Sequence, residues 1–364
     1  MARDQHHPGP AARRRVLAAI CLLIVPACSA GSPEPVAQQS AAAEAPEPSE
    51  LGTTTVSEPA QGSSEDAAQP RFEEFPVPPS DRPHDVAPAP DGRVWYTGQR
   101  GGVLGVLDPA TGEVERVPLG QGSAPHGVIV GPDDAAWVTD GGLNAIARVD
   151  PGTLEVTTFP LPTSGNANLN TAAFDGEGVL WFTGQAGVYG RVDPDDGQVE
   201  VFDAPRGSGP YGIAATPDGT VWLASLAGSY IGRIDSGDRL DVVDVPTAGG
   251  GARRVWSDSD GNLWVTEWNA GKLARYDPAS DAWSEWSLPG ASPQPYAVFV
   301  DDQDIVWVTD FGADALVRFD PETEDMESFP FPTSGAEVRQ LLGRSGEVWG
   351  AGSGTDTLLV LHTQ

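Results

Sequence analysis

Seven tryptophans recur in one phase along this chain: Trp95, Trp137, Trp181, Trp222, Trp264, Trp307 and Trp349, spaced 42, 44, 41, 42, 43 and 42 residues apart. A period of that length marks a repeat architecture, in which each unit buries its apolar face against the next. Within each unit the chain writes four short runs of strand character. In the third they are NTAAFD, VLWFTG, VYGRVD and QVEVFDAP, separated by GEG and PDDG turns. The runs are rich in Val, Phe and Tyr and bounded by Gly, Pro and Asp, as strands are. Asp-Gly pairs at 91–92, 218–219 and 260–261 read as hairpin turns that need positive φ. No stretch has helical periodicity. Four strands in each of seven units predict an all-β, seven-bladed β-propeller over 71–364, with the tryptophans packed between neighbouring blades.

The ends of the repeat array predict how the ring closes. The seventh unit stops after TLLVLHTQ, one strand short, while RFEEFPVPP at 71–79 stands as a surplus strand before the first unit. It matches the outer strands VTTFPLP (156–162) and MESFPFP (326–332), so it is expected to complete the last blade and remove an open edge.

The segment before the repeats reads differently. Residues 1–27 have the form of a signal peptide, with Arg13, Arg14 and Arg15 ahead of an apolar run from Val16 to Val25. They end at Val-Pro-Ala-Cys, a lipobox-like sequence that makes Cys28 the expected lipidation site. Residues 28–70 hold no aromatic residue and are dominated by Pro, Ala, Ser and Glu, the composition of a disordered acidic tether. The expected location is therefore extracytoplasmic, anchored to the cell membrane as a lipoprotein, with plain secretion as the alternative. Cys21 and Cys28 are the only cysteines, so the repeats carry no thiol or disulfide.

Beyond residue 27 the chain has 17 basic and 51 acidic residues. Such a surface repels phosphate backbones, which argues against nucleic acid, and leaves the membrane reachable only through a lipid anchor. The expected partner is a small molecule or peptide in the central funnel of a monomer.

The repeat phase places polar residues at the funnel. Eleven residues before each tryptophan stand His84, His126, Asn170, Tyr211, Arg253, Tyr296 and Val338. Three residues after it stand Gly98, Asp140, Gly184, Ser225, Glu267, Asp310 and Gly352. The folded body has three histidines, and two share this position in adjacent units. Imidazole titrates near neutrality, so such a pair can move protons, and a carboxylate such as Asp140 can orient a ring or hold a hard cation. The alternative is that histidine merely tolerates a loop entry, as Tyr and Asn do elsewhere. A second cluster is expected from Arg253, Arg254, Glu267, Trp268, Asp310 and Phe311. There Arg253 and Glu267 could form an ion pair, and Trp268 and Phe311 could wall a ligand.

The elements PHGVIVGPDDAAWVTD, PYGIAATPDGTVWLAS and DGNLWVTEWNAGKLARYDP resemble repeats of the streptogramin B (virginiamycin B) lyases, and the resemblance covers nearly all of 71–364. It implies a carbon–oxygen lyase that opens a cyclic depsipeptide antibiotic by Mg²⁺-assisted β-elimination, and hence antibiotic resistance. By this resemblance His126, in its Pro-His-Gly element, is the base, His84 assists it or binds the leaving oxygen, and Asp140 helps hold Mg²⁺. The sequence departs from the family at three points. Ala124 stands where the family has a metal-binding Glu, Asn170 stands where it has Tyr, and the histidine units come first in the chain rather than last. Two other readings stand beside this one. One is a non-catalytic binding propeller using Tyr211, Arg253, Trp268 and Tyr296. The other is a metal-dependent lactone or ester hydrolase, with Asn170, Glu267 and Asp310 near the axis.

Overall fold

The computed structural model describes residues 71–363. The signal segment, Cys28 and the 28–70 tether lie outside the described residues.

Among the described residues there are twenty-eight strands and no helix, arranged as seven four-stranded antiparallel sheets. The third unit folds as read: β10 (Leu169–Phe174), β11 (Leu180–Gly184), β12 (Val188–Val192) and β13 (Val199–Asp203), hydrogen-bonded in that order. The innermost strand of each blade packs against its counterpart in the next. These strands are β2 (Pro83–Pro88), β6 (Pro125–Val130), β10, β14 (Pro210–Ala215), β18 (Ala252–Ser257), β22 (Pro295–Val300) and β26 (Val338–Arg344). β26 in turn packs against β2, which closes the ring. Burial follows from that layout. The second strands, such as β3 (Val94–Gly98) and β7 (Ala136–Asp140), are buried throughout, whereas outer strands such as β9 (Val156–Pro160) alternate toward solvent. Gly92, Gly219 and Gly261 sit at φ 92°, 83° and 83°, the left-handed geometry expected of the Asp-Gly turns.

The surplus strand closes the last blade. β1 (Arg71–Pro76) pairs antiparallel with β28 (Thr357–His362), with Arg71 opposite His362 and Pro76 opposite Thr357. Phe75 stacks on Trp349, ring centroids 5.7 Å apart.

Each of the seven tryptophans is buried against the following blade. Trp95 packs on Val128 and Val138, Trp137 on Leu180 and Phe182, and Trp349 on Val86 and Tyr96 of the first blade. Five indole N–H groups donate to a hairpin carboxylate: Trp137 to Asp133, Trp181 to Asp175, Trp264 to Asp258, Trp307 to Asp301 and Trp349 to Glu347, at 2.6 to 3.1 Å. That satisfies the one polar atom of a buried indole.

Two devices that the repeat spacing does not reveal position the funnel. The first is a register break in every innermost strand. Pro83 faces Gly98 and Val86 faces Tyr96, so one extra residue is accommodated at 84–85, and the other six blades break at the same place. Such a bulge re-aims side chains that strict alternation would send to opposite faces. The second is a threonine two residues after the tryptophan. Thr97 Oγ1 accepts from Asp85 N at 3.0 Å and donates to His126 O at 2.8 Å, tying the bulge of one blade to that of the next. Thr139 does the same between Gly127 and Asn170, and Thr183 lies between Thr171 and Tyr211. Thr266 repeats it between Arg254 and Tyr296.

The seventh blade corrects one sequence position. Val338 pairs with Gly352, as Pro83 does with Gly98, because the hairpin after β26 is one residue shorter. The funnel residue of that blade is therefore Arg339, not Val338, which is buried in the apolar seam.

Candidate functional site

The bulges bring His84 and His126 into contact, with ring centroids 3.9 Å apart and planes at 47°. Both are buried. His84 Nδ1 lies 2.7 Å from Asp85 Oδ1, so Nδ1–H donates to the carboxylate and Nε2 keeps its lone pair. Asn170 Nδ2 lies 3.4 Å from His126 Nε2, a long hydrogen bond that leaves His126 Nδ1 without a partner.

Arginines surround this pair. Arg254 is 5% exposed, and its Nη2 lies 3.7 Å from Asp85 Oδ1, an ion pair too long to be a hydrogen bond. Arg254 Nε and Nη2 have no hydrogen-bond partner. Arg339 donates to Glu337 at 2.6 Å, and Arg82 lies 3.9 Å from the same carboxylate. Burial lowers the pKa of His84 well below the ordinary imidazole value, and Arg254, Arg339, Arg82 and Arg253 lower it further. Burial also lowers that of His126, helped by His84 and opposed by Asp85. Burial raises the pKa of Asp85 against the pull of Arg254, His126 and Arg339. Both imidazoles are thus held neutral at physiological pH, the form that accepts a proton.

Across the ring from the histidines, Arg253 lies among aromatic rings. Its guanidinium carbon is 3.5 Å from the Tyr296 centroid, 4.4 Å from Trp268 and 4.8 Å from Tyr211. Its Nη2 donates to Tyr211 Oη at 3.2 Å, and the Tyr211 and Tyr296 hydroxyls are hydrogen-bonded to each other. Burial would raise the pKa of Tyr211, but Arg253 and Arg254 outweigh it and bring the phenol below its usual range. Burial raises that of Tyr296. Phe311 stacks on Tyr296 at 4.7 Å and meets Trp268 at 5.7 Å, so the expected aromatic wall is assembled.

The carboxylates expected beside these groups lie elsewhere. Asp140 is fully buried in its own blade's loops. Its Oδ1 accepts from Ala124 N, Gly142 N and Leu143 N at 2.9 Å each, and its Oδ2 takes the Ser123 hydroxyl. Asp310 repeats the arrangement with Gln294 N and Gly312 N. Glu267 forms no ion pair with Arg253. It sits instead beside Glu285, which is bound to Lys272 and Thr247, and burial with that neighbour pushes its pKa up to about 8. The second strand stands one layer out from the axis, and in the second and sixth blades its last side chain braces the loop that enters the first. The residue that does approach the histidines is Asp85. Sequence reasoning passed over it because its neighbour His84 already held the funnel position, and only the bulge lets both face one site. Arg339 was missed through the one-residue slip of the last hairpin.

Among the described residues, His84, Asp85 and His126 offer three donor atoms within 4.8 Å of one another. Two nitrogens and one carboxylate suit a borderline transition ion, not Mg²⁺, which asks for several oxygens. Asp85 is already engaged by His84, the Arg254 guanidinium lies 3.7 Å from it, and Ala124 supplies no carboxylate. The donor set therefore does not fit Mg²⁺.

A seven-bladed propeller with a paired-imidazole, arginine-rich funnel is the class this geometry defines. A family model for the virginiamycin B lyases matches residues 51–283, and the chain belongs to that family. A virginiamycin B lyase of Nocardia farcinica is 36% identical over 106 residues, which is 29% of this chain and only 36% of that relative's length. A solved streptogramin B lyase superposes with a TM-score of 0.74 at 24% identity, covering 80% of this chain and 97% of that one. A catalytically inactive histidine-to-alanine variant of virginiamycin B lyase from Staphylococcus aureus, solved with quinupristin, gives 0.75 at 21% identity, covering 81% and 99%. At those identities the two structures speak for the fold alone.

Proposed function

We propose that the protein opens a cyclic ester or depsipeptide by β-elimination, with His84 as the base and Asp85 orienting it. The observation that carries this reading is the 2.7 Å contact between His84 Nδ1 and Asp85 Oδ1, in a funnel where the second imidazole touches the first. A base whose far nitrogen donates to a buried carboxylate is held in one tautomer, with its other nitrogen free to accept a proton.

The step balances without water. His84 Nε2 takes the proton from the carbon α to a carbonyl. The C–H electron pair becomes the second bond of a carbon–carbon double bond. The β carbon–oxygen bond breaks, and its electrons leave with the ester's acyl group as a carboxylate. Negative charge develops on the carbonyl oxygen in passing, and Arg253, Arg254 and Arg339 are cations of the funnel that can offset it. His126, neutral and in contact with His84, is positioned to take up the proton or bind the leaving oxygen. In this reading Asp85 fills the role that the resemblance gave to Asp140, and His84 the role it gave to His126.

Incubation with a type B streptogramin, followed by chromatography with mass detection, tests it. A product of altered retention and unchanged mass supports elimination. A product heavier by one water favours the hydrolase reading, and intact antibiotic under all conditions removes the substrate class. The aromatic setting of Arg253 favours a binding propeller as the second reading, and ligand binding without turnover would select it. Lipid attachment at Cys28, placing the propeller outside the membrane, is part of the same proposal. Labelled palmitate should enter the wild-type chain and not Cys28→Ser.

A further inference from the structure

We propose that the funnel floor is a carboxylate-binding site, in which Arg254 grips the anion and the aromatic wall holds the body of the ligand. The charge distribution points there first. In a chain of net charge -31, four arginines (Arg82, Arg253, Arg254 and Arg339) act on one buried histidine. They face two carboxylates, Asp85 and Glu337. Glu337 is taken by Arg339 at 2.6 Å and approached by Arg82 at 3.9 Å. Asp85 accepts from the neutral His84 and lies 3.7 Å from Arg254 Nη2. Arg253 meets no protein anion among the described residues, and Arg254 meets Asp85 only at that 3.7 Å, beyond hydrogen-bonding distance.

Arg254 supplies the second, independent observation. It is 95% removed from solvent, yet its Nε and Nη2 make no hydrogen bond. A buried guanidinium normally spends its donors, because an unmade charged hydrogen bond is costly. Arg254 instead lines a cavity of about 30 Å³ on the axis, with Asp85, Thr171 and Gln340 as the other polar walls. The cavity has room for one or two waters, or for the oxygens of a carboxylate. A guanidinium matches a carboxylate with two parallel N–H donors. Beside it the half-buried Trp268 and Phe311, with centroids 5.7 Å apart, present ring surface backed by the buried Tyr296. The ligand class is therefore a monocarboxylate attached to a flat apolar group. This does not depend on the elimination reading, since it concerns binding alone.

The test is calorimetric titration of the full chain with phenylacetate and, separately, with its neutral amide, phenylacetamide. Phenylacetate should bind at least tenfold more tightly, and less tightly as salt rises. Arg254→Gln should lose that preference while Arg254→Lys keeps part of it, with thermal melting used to confirm that each variant is folded. Arg253→Gln, nearer the funnel mouth, should weaken binding of both probes, because that side chain orders the aromatic wall. Equal affinity for acid and amide, no binding of either probe, or an unchanged acid preference in folded Arg254→Gln would each overturn the proposal. No ester is present, so failure here leaves the lyase reading to its own assay.

Discussion

His84 and Asp85 are consecutive residues whose side chains meet at 2.7 Å, imidazole Nδ1 to carboxylate Oδ1, inside one β-bulge. Adjacent residues of a regular strand point to opposite faces, so this contact exists only because the register breaks there. It makes Asp85 the carboxylate that can tune the site, while Asp140, fourteen residues after His126, is spent on loop N–H groups. Asp85→Asn should lower turnover of a ring-opening substrate by about 10²-fold or more with little change in KM, the size general-base orientation commands. Asp140→Asn should lower the melting temperature and leave the acid limb of the pH–rate profile where it was. Steady-state kinetics across pH separates the two.

The rate profile itself has a defined sign. The His84 pKa is depressed, so the neutral base should persist to pH values under the ordinary 6.5, and kcat/KM should level off before neutrality is reached. An acid limb centred above 6.5 would contradict the assignment.

Stability should follow the same two histidines. Their folded pKa values lie below the unfolded ones, so the unfolded chain binds more protons as pH drops beneath about 6.5, and stability falls with it. Replacing both, His84→Gln with His126→Gln, should flatten that decline in urea unfolding measured between pH 7 and 5.

Glu267 predicts the opposite limb. Its folded pKa is raised to about 8 by burial and by Glu285, so the folded state holds a proton that the unfolded state has lost. Its contribution is fully present below about pH 4.5, the ordinary value, and disappears as pH rises through about 8. Glu267→Gln should make unfolding less sensitive to pH over that window, read as a flatter dependence of the urea midpoint.

Ring closure by β1 sets a mechanical prediction. Phe75 is buried against Trp349 and joins the seventh-to-first blade seam. Phe75→Ala should cost about 3 kcal/mol, at the lower end of large-to-small aromatic substitutions. Removing 71–77 should abolish cooperative thermal unfolding by exposing the β28 edge. A sharp, unshifted melting transition in the truncated chain would show that the closure is dispensable.

The sequence alone determined the number of blades, the four strands in each, the packing role of the tryptophans and the strand exchange that closes the ring. Those properties are periodic and local. A 42-residue repeat, alternating apolar runs and Asp-Gly turns are written in the order of the chain, and the unmatched strand at 71–79 has only one place to go. The pairing of His84 with His126 was also legible, because both hold one phase of adjacent repeats. Tertiary structure decided what surrounds them. The bulge turned Asp85 inward, the short last hairpin put Arg339 where spacing had put Val338, and loop N–H groups drew Asp140 and Asp310 away. Arg82, Arg254 and Arg339 come from the first, fifth and seventh blades, and their meeting depends on the closed ring. The charge of a site is a sum over neighbours in space, and the repeat spacing carries no record of it.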